Sequence, residues 1–144
     1  MKLENIMFVD KTTNDCKIID FGFAEKINYE KLESRAGTPG FLPPELFKLS
    51  PYTEKGDIFS LGIILYCLIS GYSPFKGKTY KDVLENNRKC AISYEQPIWT
   101  RVTDECRYLI KRMVEPDPKK RYNCDDILRS KWLTKYYPYS LVES

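Results

Sequence analysis

Three short motifs follow one another early in this 144-residue chain: Asp20-Phe21-Gly22, Gly37-Thr38-Pro39-Gly40 and Pro43-Pro44-Glu45. Lys2-Leu3-Glu4-Asn5 precedes them, and Asp57-Ile58-Phe59-Ser60-Leu61-Gly62 follows. A carboxylate such as that of Asp20 offers the oxygen ligands that a hard cation prefers. A lysine such as Lys2 offers a compact point charge for a phosphoryl group. Taken alone, each has a plainer reading: Asp20 is a solvated residue at a hairpin exit, and Lys2 is a solvated lysine near a chain start. Their ordered company is the informative part. The chemistry such a set would serve is phosphoryl transfer, where the protein positions groups and offsets charge instead of forming covalent intermediates.

Residues 6–9 and 16–19 are short apolar runs separated by Asp10-Lys11-Thr12-Thr13-Asn14-Asp15, which predicts a β-hairpin closed by turn residues. Residues 21–46 lack helical periodicity and are punctuated by Gly37, Pro39, Gly40, Pro43 and Pro44, as an extended functional loop would be. Helical patterns then predict helices over 57–70, 79–89, 103–115 and 124–133, with a loosely held tail over 135–144. Asp57 and Thr103 stand where a helix start favours side-chain oxygens and negative charge. Pro116 and Pro118 should end the third helix. The first helix is apolar almost all round, yet shorter than the roughly 20 residues of a membrane span, so it reads as a core helix.

Composition narrows the classes further. A hydrophobic content of 42% with 30% charged residues is ordinary for a globular domain and argues against disorder. The net charge of +3, with basic and acidic residues interspersed, gives no reason to expect nucleic acid or a membrane as partner. Five cysteines form no Cys-x-x-Cys pair, and no histidine is present to complete a zinc site. Reduced cysteines and the lack of a leader pattern predict a cytoplasmic or nuclear setting, not secretion.

The motifs, in this order, resemble the C-terminal lobe of a eukaryotic serine/threonine protein kinase from Lys2 to about Leu133. Thr38-Pro39-Gly40-Phe41-Leu42-Pro43-Pro44-Glu45, the turn Ser70-Gly71-Tyr72-Ser73-Pro74-Phe75 and Lys131-Trp132-Leu133 are most similar to the calcium/calmodulin-dependent group. The resemblance implies a mainly α fold with a small β-hairpin, the C-terminal lobe of the kinase α+β architecture without its N-terminal lobe. It divides the chain into a partial kinase domain over 1–134 and a tail over 135–144. Within the domain, 1–9 and 16–19 would hold the strand pair and the end of the catalytic loop, 20–45 the activation segment and 46–134 the helical subdomain.

The same resemblance implies roles for individual residues. Asp20 and Asn5 would be Mg²⁺ ligands, Asp20 also facing ATP, with Phe21 and Gly22 anchoring and hinging the carboxylate. Lys2 would be the catalytic lysine two residues past the catalytic aspartate. Met7 would floor the adenine ring, although an apolar strand residue there equally suits any core. Thr38 would sit beside the substrate hydroxyl, which points to Ser/Thr specificity. Ser34 is a candidate phosphosite or simply a solvated loop serine. Glu45 and Arg121 would form a buried ion pair, and Asp57 would accept from the catalytic-loop backbone. Pro43, Phe59 and Phe23 replace the family's usual Ala, Trp and Leu, conservatively in bulk.

Much of the family's equipment has no counterpart in these residues: the Gly-rich loop, the strand lysine with its helix glutamate, the adenine-reading hinge and the catalytic aspartate. The isolated chain is therefore expected to bind ATP and Mg²⁺ weakly or not at all and to be catalytically silent. An uncovered core helix over 57–70 is expected to drive self-association or docking of another protein. Two readings stay open: a kinase of which these residues are only the downstream part, and a non-catalytic kinase-like binding or docking module. No calmodulin-binding or autoinhibitory helix is evident after Leu133.

Overall fold

The computed structural model describes residues 1–24, 26, 37–48 and 52–137. Strands β1 (Ile6–Phe8) and β2 (Cys16–Ile18) pair antiparallel, with Ile6 opposite Ile18 and Phe8 opposite Cys16. The connection is closed by Asp10, whose Oδ1 accepts from the Thr12 and Thr13 amides at 2.6 and 2.8 Å. Hydrogen bonds from Thr12, first its hydroxyl and then its amide, with help from Thr13, hold the Asp10 carboxyl below the usual carboxylate range.

Five helices follow: α1 (Lys55–Ser70), α2 (Tyr80–Lys89), α3 (Asp104–Met113), α4 (Cys124–Leu128) and α5 (Lys131–Tyr136). Short 3₁₀ turns occupy Leu3–Asn5, Pro44–Phe47 and Pro97–Arg101. The described chain is thus mainly helical with one small hairpin. Helix α1 begins two residues earlier than the sequence reading placed it, so Asp57 lies inside the first turn and not at the cap. Its charge there still faces the positive end of the helix dipole.

The other starts follow side-chain chemistry. Thr79 and Asp82 form a reciprocal capping box at α2, and Thr103 accepts from the Cys106 amide at α3. The helix predicted over 124–133 is in fact two. Asn123 and Asp126 box the start of α4, the chain leaves helical geometry at Arg129, and Ser130 caps a new start by accepting from the Leu133 amide. The apolar spacing of Leu128, Trp132 and Leu133 concealed this break, which Ser130 alone signals. Helix α3 stops at Met113, ahead of Pro116, as the prolines require.

The core is built around α1. Phe59, Ile63 and Tyr66 pack with Phe75, Trp99, Cys106 and Ile110, and Ile58 joins Leu109, Met113 and Ile127. Helices α1 and α3 approach closely at Gly62, where a Cβ would stand 2.7 Å from Val114 Cγ1 and 2.8 Å from Met113 Cβ. Tyr66 and Tyr94 both flank Trp99, their ring centroids 4.8 Å from it. The expected uncovered core helix is only partly so: Leu61 and Leu68 are exposed on α1 while nine of its residues are buried. The larger apolar exposure lies on and after the hairpin, at Met7, Phe8, Val9, Ile18, Phe21 and Phe23. Among the described residues no helix is long and apolar enough to cross a membrane.

Candidate functional site

The end of the hairpin places the metal-ligand candidates together. Asn5 closes the first 3₁₀ turn through its amide to the Lys2 carbonyl at 3.1 Å, and its own carbonyl accepts from the Ile19 amide at 2.8 Å. That bond holds Asn5 beside the residue that precedes Asp20. Asp20 has a left-handed backbone, φ 61°, which a short polar side chain tolerates better than a bulky one. Its Oδ1 accepts from the Gly22 amide at 3.2 Å, so the carboxylate is turned along the chain and held near the Gly22 backbone.

A cavity of about 520 Å³ collects these groups. Lys2, Asn5, Asp20 and Phe21 line one side, with Thr38, Phe41, Tyr52 and Asp57 among the rest. Met7 is not among the lining residues and stands 55% exposed on β1, paired with Lys17. Phe21, expected as an anchor, is 68% exposed and lines the cavity without entering the core. Asp57 Oδ1 lies 3.6 Å from the Met1 amino group, and the carboxylate side chain remains 61% exposed, so this ion pair adds little stability. Ser34 lies outside the described residues.

Two lining residues, Tyr52 and Ser60, were given no role in the sequence. Burial, with the negative charges of Asp57 and Glu45 adding, pushes the Tyr52 phenol up, so it stays a neutral donor. Gly56 leaves room for that ring, since a Cβ there would meet Tyr52 Cε2 at 2.2 Å. Ser60 donates to the Phe41 carbonyl at 2.8 Å and ties the loop to α1. Only the glycine one turn before Ser60 and the aromatic three residues before α1 hinted at this packing.

The loop carrying Thr38 is a tight turn. The Phe41 amide donates to the Thr38 carbonyl at 3.2 Å, with Pro39 at the second position and Gly40 at φ 93° in the third. Proline presets the first corner and glycine the second, the requirements of a type II turn. Behind it, Glu45 and Arg121 meet in a doubly hydrogen-bonded ion pair, Nη1 to Oε1 at 2.7 Å and Nη2 to Oε2 at 2.8 Å. Both side chains are at most 2% exposed. The remaining guanidinium donors reach the carbonyls of Lys55, Glu115 and Pro116, so the buried cation is fully partnered. The pair ties the 3₁₀ turn Pro44–Phe47 to the segment after α3 and to the start of α1.

Asn5 and Asp20 supply oxygen donors, the kind that suits Mg²⁺, an ion that takes one or two protein carboxylates and completes its shell with phosphates and water. Among the described residues no group of three or more His, Cys, Asp or Glu could hold a metal by itself. The donor set therefore fits a metal brought in with a phosphate ligand and not a self-sufficient metal cage.

Comparison with known proteins matches the same region. Calcium-dependent protein kinase 5 of Plasmodium falciparum (isolate 3D7) is 35% identical over 144 residues, covering 99% of this chain and 25% of that protein. Calcium/calmodulin-dependent protein kinase type II of Caenorhabditis briggsae is 37% identical over 135 residues, covering 92% of this chain and 25% of that one. In structure, a twitchin kinase fragment of C. elegans, described as an autoregulated protein kinase with immunoglobulin domains, superposes with a TM-score of 0.87 at 27% identity. That match covers 99% of this chain and 35% of the twitchin chain. The chain thus spans about a quarter of the length of these curated relatives. With a match to the protein kinase domain model that runs over residues 1–133, the chain belongs to the protein kinase domain family.

Proposed function

We propose that these residues form the phosphate- and substrate-facing floor of a serine/threonine protein kinase, which transfers the ATP γ-phosphate to a protein hydroxyl. The observation that carries this reading is the convergence of Lys2, Asn5, Asp20 and Thr38 on one cavity. Asn5 and Asp20 would hold Mg²⁺, which supplies charge neutralisation at the ATP phosphates. Lys2 would add a positive charge at the transferring group, and the Thr38 turn would seat the acceptor peptide. Thr38 in place of the proline-rich pattern of tyrosine kinases supports Ser/Thr acceptors. The 144 residues contain no His-Arg-Asp sequence and no Gly-rich loop, so the isolated chain offers ATP a single wall and is catalytically silent.

A direct test is a radiolabelled-ATP assay on the pure chain with a serine peptide. No transfer above an Asp20→Ala control is expected, and Mg²⁺-dependent transfer above that control would overturn the inactivity. In parallel, millimolar Mg²⁺-ATP should raise the melting temperature slightly in the native chain and not in Asp20→Ala. Equal shifts in both would remove the metal role of Asp20. The exposed apolar side chains of the hairpin, Met7, Phe8, Val9 and Ile18, favour a second reading as a docking surface for another protein domain. Concentration-dependent sedimentation of the native chain that vanishes in Phe8→Ser would support it over the enzymatic reading.

A further inference from the structure

Asn87 is completely buried, and within α2 (Tyr80–Lys89) no other residue is. Its side-chain amide reaches back across 45 residues and more of chain. Oδ1 accepts from the Gly40 amide at 2.9 Å, and Nδ2 donates to the Leu42 carbonyl at 2.8 Å. Between them the Phe41 carbonyl accepts from Ser60 Oγ. Three successive residues of the loop are therefore fastened from behind, two of them by one side chain.

The chemistry of the contact is specific. A backbone N–H needs an acceptor and a backbone C=O needs a donor, and only a primary amide carries both at this spacing. Aspartate would satisfy Gly40 and abandon Leu42, whereas leucine would abandon both in a buried place. An apolar side chain would serve packing alone equally well, so the amide is there for the loop backbone. Gly40 is the third residue of the turn that begins at Thr38, and its φ of 93° suits glycine. Fixing Gly40 fixes the closing corner of that turn.

We propose that Asn87 is a positioning residue that holds the Thr38 turn in its peptide-receiving orientation over the cavity. The inference rests on the reading of Thr38 as a peptide-docking residue, and its test separates the two. In the native chain and in Asn87→Leu and Asn87→Asp, amide hydrogen exchange is read residue by residue by NMR. Binding of a fluorescent serine-containing peptide is read by anisotropy. Asn87→Leu should speed exchange at Gly40 by about tenfold, the equivalent of one lost buried hydrogen bond, with α1 and α3 amides unchanged. The same variant should weaken the peptide by about tenfold and leave Mg²⁺-ATP binding as it was. Asn87→Asp should keep Gly40 protected, which preserves the test if the leucine variant fails to fold.

Gly40 exchange at the native rate in Asn87→Leu would overturn the proposal. So would loss of protection spread evenly through α1 and α3, because that marks a purely structural role. Native peptide affinity in a variant whose Gly40 is released would overturn it as well. A native chain that binds no peptide sinks the docking role of Thr38 itself, while Gly40 exchange still decides whether Asn87 holds the turn.

Discussion

Replacing Arg121 by methionine removes the cation from the buried pair and leaves the Glu45 carboxylate, 2% exposed, with no counter-charge. The guanidinium also serves the carbonyls of Lys55, Glu115 and Pro116, which lose that donor. Breaking one side of a buried ion pair costs about 3–5 kcal/mol. The side chain also lies over the Phe59 ring at 5.1 Å, a packing contact that methionine retains only in part. Against a total stability of roughly 5–15 kcal/mol, a loss near 4 kcal/mol should lower the melting temperature by about 12–20 °C. Urea unfolding followed by circular dichroism measures it. The reasoning also fixes the double variant: Glu45→Gln with Arg121→Met removes both charges, so it should recover a sizeable part of the loss. A single variant within about 1 kcal/mol of the native chain, or a double variant equal to the sum of the two singles, would refute the account of this pair.

Other sites give independent predictions. Gly62→Val places a side chain 2.7 Å from Val114 Cγ1 and should destabilise by about 1–3 kcal/mol through overpacking between α1 and α3, measured by thermal unfolding. Ser130→Ala removes the cap of α5 and should cost about 1 kcal/mol, with exchange accelerated at the Leu133 amide first. Burial raises the Cys90 thiol from 9.0 to about 11. The unfolded thiol ionises first, so this contribution is complete below pH 9 and is lost as pH climbs toward 11. Stability should fall by about 1–2 kcal/mol from this group across that interval, and Cys90→Ala should show a correspondingly shallower decline in denaturation scans.

The parts legible in the sequence were those set by local chemistry. Turn residues between two apolar runs gave the hairpin, and Thr103 marked a helix start because its hydroxyl answers an unsatisfied amide nearby in the chain. Asp20, Asn5 and Thr38 were candidates on motif order alone, and all three line one cavity. What escaped depends on distance in three dimensions. Nothing adjacent to Asn87 shows that its amide serves residues 40 and 42. The split between α4 and α5 escaped because apolar spacing runs through it while a single serine ends it. Met7 and Phe21 were assigned by motif position alone. Their exposure reflects what packs on the hairpin among the described residues, which no periodicity reports.

The central claim is that Asp20 and Asn5 form the metal end of a phosphate-handling site. Adding Mn²⁺-ATP to isotopically labelled chain and recording paramagnetic broadening of the amide signals tests it most directly. Broadening should concentrate at Asn5, Asp20 and Gly22, spread weakly to Thr38, and disappear in Asp20→Asn. Broadening centred instead on the acidic cluster Asp125 and Asp126, or unchanged by Asp20→Asn, would contradict it.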